Sequence, residues 1–511
     1  MLGGRPRYGR TVVSSRLASL TVFVTSGAVL VLETLAGRLL APYIGVTLQT
    51  FTGIIGVVLA GIAAGTFVGG RLADRYEPRR LLPATVAVGG AASVATVPLI
   101  RLFGPGADGG VASIVLLATV SFFLPSAVLS AASPLTVKIT LDAVEHTGHV
   151  VGRLSAMGTA GSLVAVFVTG FVFVAAFPTT PVIIVAGIGL VVLGIVLWWR
   201  LADGDPDDPD ERRSRDVVVS SGFAVLALSG LAVGAGTPCD VESTYFCAVV
   251  RTDPDRPSGR TLLLDDLRNS YVDLDDPTHL EFSYSQIVGD VIEAVAPGTT
   301  PVRAAHIGGG GFTMPRYLAA TRPGSTSVVF ELDPSVVELA EDRLGLVLSP
   351  ELRAVTGDAR VHLRDLATGS IDLVIGDAFG GEAVPWHLTT REFVEEIHDV
   401  LAPGGVYVLN LIDHGGLDFA RAEAATLRDV FAHVAVIAPL ARLQGDTNGG
   451  NFVLVASDAP LPVAEIAARN AGRGDDDTVW SSDADLGRFV DHAVVLTDEY
   501  APVDQLITPA G

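Results

Sequence analysis

The sequence predicts two architectures in one chain: a multi-pass α-helical membrane domain, then an α/β Rossmann-like domain entered through a small β-rich lobe. Three observations carry this. The hydrophobic fraction of 49% and mean hydropathy of +0.48 over 511 residues are too high for an ordinary soluble enzyme of this length. Long uncharged runs are confined to about the first 236 residues. Beyond them, short apolar runs alternate with turns and helical patterns, as in a parallel sheet covered by helices. The expected domains are 1–236, a lobe and connecting helix at 237–297, and a nucleoside-binding catalytic domain at 298–511.

Segments long enough to span a bilayer fall near 17–41, 51–72, 81–103, 111–137, 154–177, 180–199 and 216–236, about seven helices. The first is too long for a removable signal peptide and lacks a small-residue cleavage site. Arg5, Arg7, Arg10 and Arg16 precede it, and Arg71, Arg75, Arg79 and Arg80 follow the second span. Lys138 and Arg153 flank the loop after the fourth, and Arg200, Arg212, Arg213 and Arg215 follow the sixth. The N-terminus is therefore expected inside the cell membrane and the residues after 236 outside the cytoplasm.

Within the spans, Gly61, Gly65 and Gly69 share one helix face, which suits close helix packing. Glu33 is the clear intramembrane acid, with Arg38 as its candidate partner. Pro125 and Pro134 are expected to kink the fourth helix. The segment Gly70-Arg71-Leu72-Ala73-Asp74-Arg75 resembles the loop between the second and third helices of major-facilitator transporters. It is either a transporter latch or a cytoplasmic cap that neutralises local arginines. Cys239 and Cys247, eight apart, fit no metal site and are read as a disulfide in preference to two buried thiols.

The formal charge is −22, with Lys138 the single lysine. No basic stripe is available for phosphates, which argues against nucleic acid as a partner. An acidic, lysine-poor surface points to a halophilic source or to a genome that favours arginine codons.

The stretch that organises the second half is Ala305-His306-Ile307-Gly308-Gly309-Gly310-Gly311-Phe312, followed by Val328-Val329-Phe330-Glu331-Leu332-Asp333. An apolar strand ends in four glycines and leads into a helix. Without Cβ atoms the backbone admits a ligand closely, and the helix N-terminus favours polar groups. Glu331 at the end of the next strand stands where a ribose diol would be bound. Strands are expected at 302–307, 327–333, 352–356, 371–377, 405–412, 434–440 and 451–457. Asp358 and Asp377 close the third and fourth. Thr313 stands where a dinucleotide fingerprint would want a third glycine, so an S-adenosyl-type ligand is favoured, with Glu331 on the ribose and Asp358 near the adenine amino group.

The second half resembles the polyamine aminopropyltransferase (spermidine synthase) family, in its membrane-fused form. The marks are Leu264-Asp265-Asp266, the glycine loop, Phe330-Glu331-Leu332-Asp333, Gly357-Asp358-Ala359, Asp377-Ala378-Phe379, Leu388–Phe393, Leu401–Gly405 and Leu496–Val503. The resemblance implies an S-adenosylmethionine-methyltransferase-type fold and no metal. It also implies aminopropyl transfer from decarboxylated S-adenosylmethionine to a small-molecule amine. By position, Asp377 would be the base and Tyr284 would orient the amine. Gly308, Gly309, Gly310, Glu331, Asp358 and Asn269, the last in place of a family glutamine, would hold the nucleoside.

The chain departs from the family where acids meet ammonium groups. Gly311 and Gly380 stand where the family carries aspartates, and Ser285 replaces a histidine. Glu382 substitutes for one acid only if its loop folds inward. A methyltransferase using S-adenosylmethionine, or a transporter or scaffold with a non-catalytic binding domain, are the competing readings. The expected partners are the amine acceptor, the lipid bilayer and, as an option for assembly, a second copy in a homodimer.

Overall fold

The computed structural model describes residues 14–107, 110–141, 147–202, 209–380, 383–446 and 449–507. Arg5, Arg7, Arg10 and Glu382 lie outside the described residues. The chain divides into two compact units, Met1–Cys247 and Ala248–Gly511.

Among the described residues, seven helices of the first unit are long and apolar enough to cross a membrane: α1 (Ser15–Ile44), α2 (Leu48–Arg75), α3 (Pro78–Gly106), α4 (Val111–Thr140), α5 (Thr147–Ala176), α6 (Thr179–Leu201) and α7 (Pro209–Gly234). Five contain the whole of a segment expected from hydropathy, and α5 and α7 stop one and two residues short of the ends expected at 177 and 236. The unit is a multi-pass membrane structure. Glycines set its packing, because backbones approach closely only where no Cβ intervenes. A Cβ on Gly61 would lie 2.9 Å from the Phe123 carbonyl of α4, and those on Gly65 and Gly69 would press into Ala127 and Ala131. The glycine face of α2 thus seats against α4. Helix α4 is interrupted by a π turn at Thr119–Phe123, which ends two residues before Pro125, and by a turn at Ala131, three residues before Pro134. Each proline lacks the N–H that would continue the ladder.

Arg38 does not pair with Glu33. Its guanidinium meets Glu242 at 3.3 Å and donates to the Val174 carbonyl at 2.9 Å. Glu242 also accepts from the Thr179 backbone N–H at 3.0 Å. A carboxylate outside the membrane helices answers the arginine, which an intrahelical spacing argument could not foresee. The Cys239–Cys247 disulfide closes the segment that carries Glu242.

The second unit opens with an antiparallel meander, β1 (Cys247–Thr252, whose first residue ends the preceding unit), β2 (Gly259–Leu264) and β3 (Leu267–Asp273). Helix α8 (Ser283–Val295) leads into an eight-stranded sheet. Its strands are β4 (Arg303–Ile307), β5 (Thr326–Glu331), β6 (Leu352–Thr356), β7 (Ile371–Gly376), β8 (Leu401–Asp413), β9 (His433–Pro439), β10 (Gly450–Ser457) and β11 (Asp477–Trp480). Their order is β11-β9-β10-β8-β7-β4-β5-β6.

Alternate residues fill two cores. Ala304, Leu373, Val408 and Val453 pack with α8 and α9 (Thr313–Thr321) on one face. Ala305, Val374, Leu409 and Leu454 pack on the other with two helices, Arg391–Val400 and Asp418–Val430. This is the Rossmann-like, methyltransferase-type fold expected.

The sheet is not wholly parallel. β4 to β8 pair in parallel, but β10 runs antiparallel to both β8 and β9, and β11 antiparallel to β9. The reason is the connection between β9 and β10, in which the described helix is the single turn Leu440–Leu443. A parallel pair needs a crossover of a dozen residues or more. Strand β11, only four residues long and directly after Asp475-Asp476, is too short for periodicity to reveal.

Candidate functional site

The chain runs β4→β5→β6 toward one edge and then returns to β7 and β8 on the other side of β4. The topological switch point therefore lies between β4 and β7, where such sheets bind ligands beyond the carboxyl ends of their strands. The glycine loop leaves β4 there and Asp377 leaves β7 there. They are tied together: Asp377 N–H donates to the Ile307 carbonyl at 2.8 Å.

The loop turns by left-handed backbone at Gly308 (φ 94°), Gly310 (φ 49°) and Phe312 (φ 57°). Phe312 is a non-glycine in that region and is fully buried, its ring 2.9 Å from where a Gly309 Cβ would sit. Burial of the ring holds the strained backbone that starts α9.

Glu331, at the end of β5, organises the loop. Its Oε2 accepts from Gly309 N–H at 2.8 Å and Gly310 N–H at 3.1 Å, and Oε1 accepts from Asp333 N–H at 3.0 Å. Burial pushes its pKa up, opposed by these three backbone donors. Oε2 thus accepts two hydrogen bonds and Oε1 one, which leaves one lone-pair site on Oε1 for a ligand hydroxyl. Replacing Glu331 with Ala strands three backbone donors and is expected to destabilise the protein by about 2–4 kcal/mol. Glu331→Gln, which keeps one acceptor oxygen, loses less. Calorimetric melting of the two variants checks this, and equal losses would refute it.

Asn269 and Ser270 come from β3. The β2–β3 register passes from Leu262↔Ser270 to Leu263↔Arg268, so Asn269 is the extra residue of a bulge. The bulge sets Asn269 Oδ1 2.5 Å from where a Gly310 Cβ would be. Ser270 Oγ accepts from Gly311 N–H at 2.7 Å. Ser270 was not foreseen, and the alternation of β3 gave no chemical signal for it. Its hydroxyl lies 2.8 Å from a notional Gly311 Cβ, so an acid at 311 would meet it at once. Position 380 differs, since among the described residues a Cβ there meets nothing closer than the Ala383 carbonyl at 4.0 Å.

Asp377 is partly buried. Its Oδ2 accepts from the Tyr284 hydroxyl at 3.0 Å and Oδ1 from Asn410 Nδ2 at 2.8 Å. Asn410 in turn accepts from Asn451 Nδ2 at 3.0 Å. Burial pushes the Asp377 carboxyl up to about 6, with the two hydrogen bonds pulling the other way. Burial, then the Asp377 charge, holds the Tyr284 phenol well above its ordinary 10. Tyr284 is therefore a neutral donor at physiological pH and Asp377 a carboxylate poised near neutrality. Asn410, buried inside the apolar strand β8, and half-buried Asn451 of β10 are the polar residues that could have flagged this chain.

Asp358 sits apart from this cluster's hydrogen bonds. Its Oδ1 caps the helix Ala359–Leu363, accepting from Arg360 N–H at 2.9 Å, and Oδ2 meets His387 Nε2 at 2.9 Å. Among the described residues no group of three or more His, Cys, Asp or Glu is placed to hold a metal.

Comparison with known proteins places relatives on each half. Residues 17–249 match the family model described as Major Facilitator Superfamily. A polyamine aminopropyltransferase of Vibrio vulnificus is 39% identical over 139 residues, covering 26% of this chain and 44% of that protein. The chain thus spans less than half the length of that relative. A human eEF1A lysine and N-terminal methyltransferase is 26% identical over 203 residues, covering 36% of this chain and 28% of that protein. A solved structure of a probable spermidine synthase from Corynebacterium glutamicum is 29% identical with a TM-score of 0.47, covering 51% of this chain and 95% of that one.

Proposed function

We propose, from a C-terminal half related to polyamine aminopropyltransferases, that this membrane-anchored chain transfers an aminopropyl group from decarboxylated S-adenosylmethionine to an amine acceptor. The observation that carries the reading is the Asp377–Tyr284 pair beside the glycine loop at the switch point. An amine with a pKa near 10 is mostly protonated at neutral pH and cannot attack. Asp377 accepts its proton, and Tyr284 and Asn410 hold that carboxylate in one orientation. The amine nitrogen bonds to the methylene beside the sulfonium as the carbon–sulfur bond breaks. The electron pair stays on sulfur as a neutral thioether.

Within this reading Glu331 binds the ribose, Gly308, Gly309 and Gly310 admit the nucleoside against the backbone, and Asn269 overhangs it. Asp358 offers Oδ2, shared with His387, to the adenine amino group. The C-terminal half lies outside the cytoplasm, as the arginines of the short loops imply, and a homodimer is the simplest assembly.

One observation favours a second reading. Ser270 fills the space beside Gly311 where an acid would hold the aminopropyl amine, so a methyl transfer from S-adenosylmethionine competes. Incubating the full-length protein with putrescine and each sulfonium compound in turn separates them by the mass of the product. Aminopropylated product supports the first reading and methylated product the second; neither product removes both. Gly380→Asp, whose Cβ meets no described neighbour closer than 4.0 Å, is expected to raise aminopropyl transfer several-fold, chiefly through KM for the amine.

A further inference from the structure

Glu33 of α1, the clear acid within the membrane helices, has no role in the reaction proposed above. At 1.5 Å per residue it stands about 5 Å from the midpoint of the 30-residue helix, well inside a hydrocarbon core of roughly 30 Å. It is half-buried, and among the described residues no hydrogen bond or ion pair reaches it. Arg38 is held instead by Glu242 and the Val174 carbonyl. An unanswered carboxylate at this depth is costly, and such residues mark ion or substrate sites.

Helix α5 brings a second unsatisfied group to the same level. The two helices lie side by side at a constant offset. Ser162 Oγ donates to the Ser26 carbonyl at 3.4 Å and Arg38 to the Val174 carbonyl at 2.9 Å, each pair 136 residues apart. Glu33 and Thr169 have that same separation and fall between the two contacts. Glu33 lies about two turns beyond Ser26, and Thr169 about two turns beyond Ser162, so both belong to the faces that form the α1–α5 seam. Thr169 is fully buried, and its hydroxyl has no hydrogen-bond partner. Thr21, Thr25 and Thr34 of α1, by contrast, each donate to the carbonyl four residues back. Thr169 differs in opening the π turn Thr169–Phe173, an irregularity frequent at functional sites.

The two Glu33 oxygens and the Thr169 hydroxyl offer about three acceptors, which the three N–H donors of a primary ammonium match. A hard metal ion wants roughly six oxygens or more, and among the described residues no acid cluster is placed to supply them. We propose that the α1–α5 seam at Glu33 and Thr169 is a binding site for a primary alkylammonium ion, its charge on the Glu33 carboxylate. The site lies in the first unit and does not rest on the reaction assigned to the second.

The test is protection of Glu33 from dicyclohexylcarbodiimide, an apolar reagent that reaches carboxyls within membranes. The carboxyl oxygen bonds to the carbodiimide carbon and the acyl group then migrates to nitrogen, leaving a stable N-acylurea. Full-length protein in nanodiscs is labelled, and mass spectrometry locates the adduct. Propylammonium in severalfold excess over its Kd is expected to lower labelling of Glu33 about fivefold or more. Tetramethylammonium, which lacks N–H donors, and sodium should give little protection. T169V should still be labelled but lose the protection, whereas Asp377→Asn, in the other unit, should be protected like the wild type. E33Q should lose the adduct and keep the transfer rate. Circular dichroism and elution volume verify that each variant folds. Labelling that propylammonium leaves unchanged overturns the proposal, as does equal protection by sodium or full protection of T169V. Loss of protection in Asp377→Asn would also overturn it, because the amine would then act through the second unit.

Discussion

Asp377→Asn is expected to lower the rate of transfer by about 10²–10⁴-fold while making the protein more stable at pH 8. Both effects follow from one geometry. The amide is isosteric with the carboxylate, so its oxygen can accept from Asn410 Nδ2 and its nitrogen can donate to the Tyr284 oxygen. The cluster stays satisfied, but nothing remains to accept the amine's proton. The stability gain comes from removing a charge that the fold disfavours. The Asp377 carboxyl is pushed from 3.8 up to about 6 by burial. Between those values the native state binds more protons than the unfolded chain, so stability falls as pH rises through that window. The variant lacks this dependence. Melting curves and transfer rates measured from pH 4 to 8 test both parts. In the wild type, kcat/KM should fall as pH drops below about 6. A variant that keeps its rate would remove Asp377 as the base, whatever its melting temperature.

Gly308→Ala should disable the site by a different route. A left-handed backbone costs an alanine roughly 1–2 kcal/mol, and here the new Cβ also presses on the Asp377 carbonyl oxygen. That neighbour is main chain at the end of β7 and cannot rotate aside. The total destabilisation is expected at about 3 kcal/mol or more, as for overpacking in a rigid core. Because the same push displaces Asp377, activity should fall further than stability alone explains. Gly298→Ala is the control: it too has a positive φ, but its Cβ meets nothing within 4 Å. If both variants melt and turn over alike, the close approach of Gly308 and Asp377 is unimportant.

Much of this was readable in the sequence, for reasons that differ by element. The seven spans were legible because a bilayer demands about twenty apolar residues without a break. The strands β4 to β7 were legible because each is an apolar run closed by glycine or an acid. The antiparallel return of β10 was not, because direction depends on the length of a connection whose own structure carries no periodic signal. Asp377 and Tyr284 were named through family resemblance, and only coordinates bring their side chains within hydrogen-bond distance. Asn410 and Asn451 were missed because a single amide in an apolar strand looks like an interruption until its partner is known. Asp358 shows how one acid carries two readings. An acid just after a strand can serve a ligand or cap the next helix, and here it demonstrably caps one.

The hydrogen bond from Gly311 N–H to Ser270 Oγ also sets which substitutions can be made one at a time. An acid at 311 brings a Cβ to 2.8 Å from the hydroxyl, which must then turn aside, and removing the hydroxyl alone orphans a buried N–H. The two positions are therefore coupled and are best changed together. Among the described residues, position 380 meets no such neighbour and can take an acid in one step. The two glycines thus differ in how freely a carboxylate can be introduced beside the site.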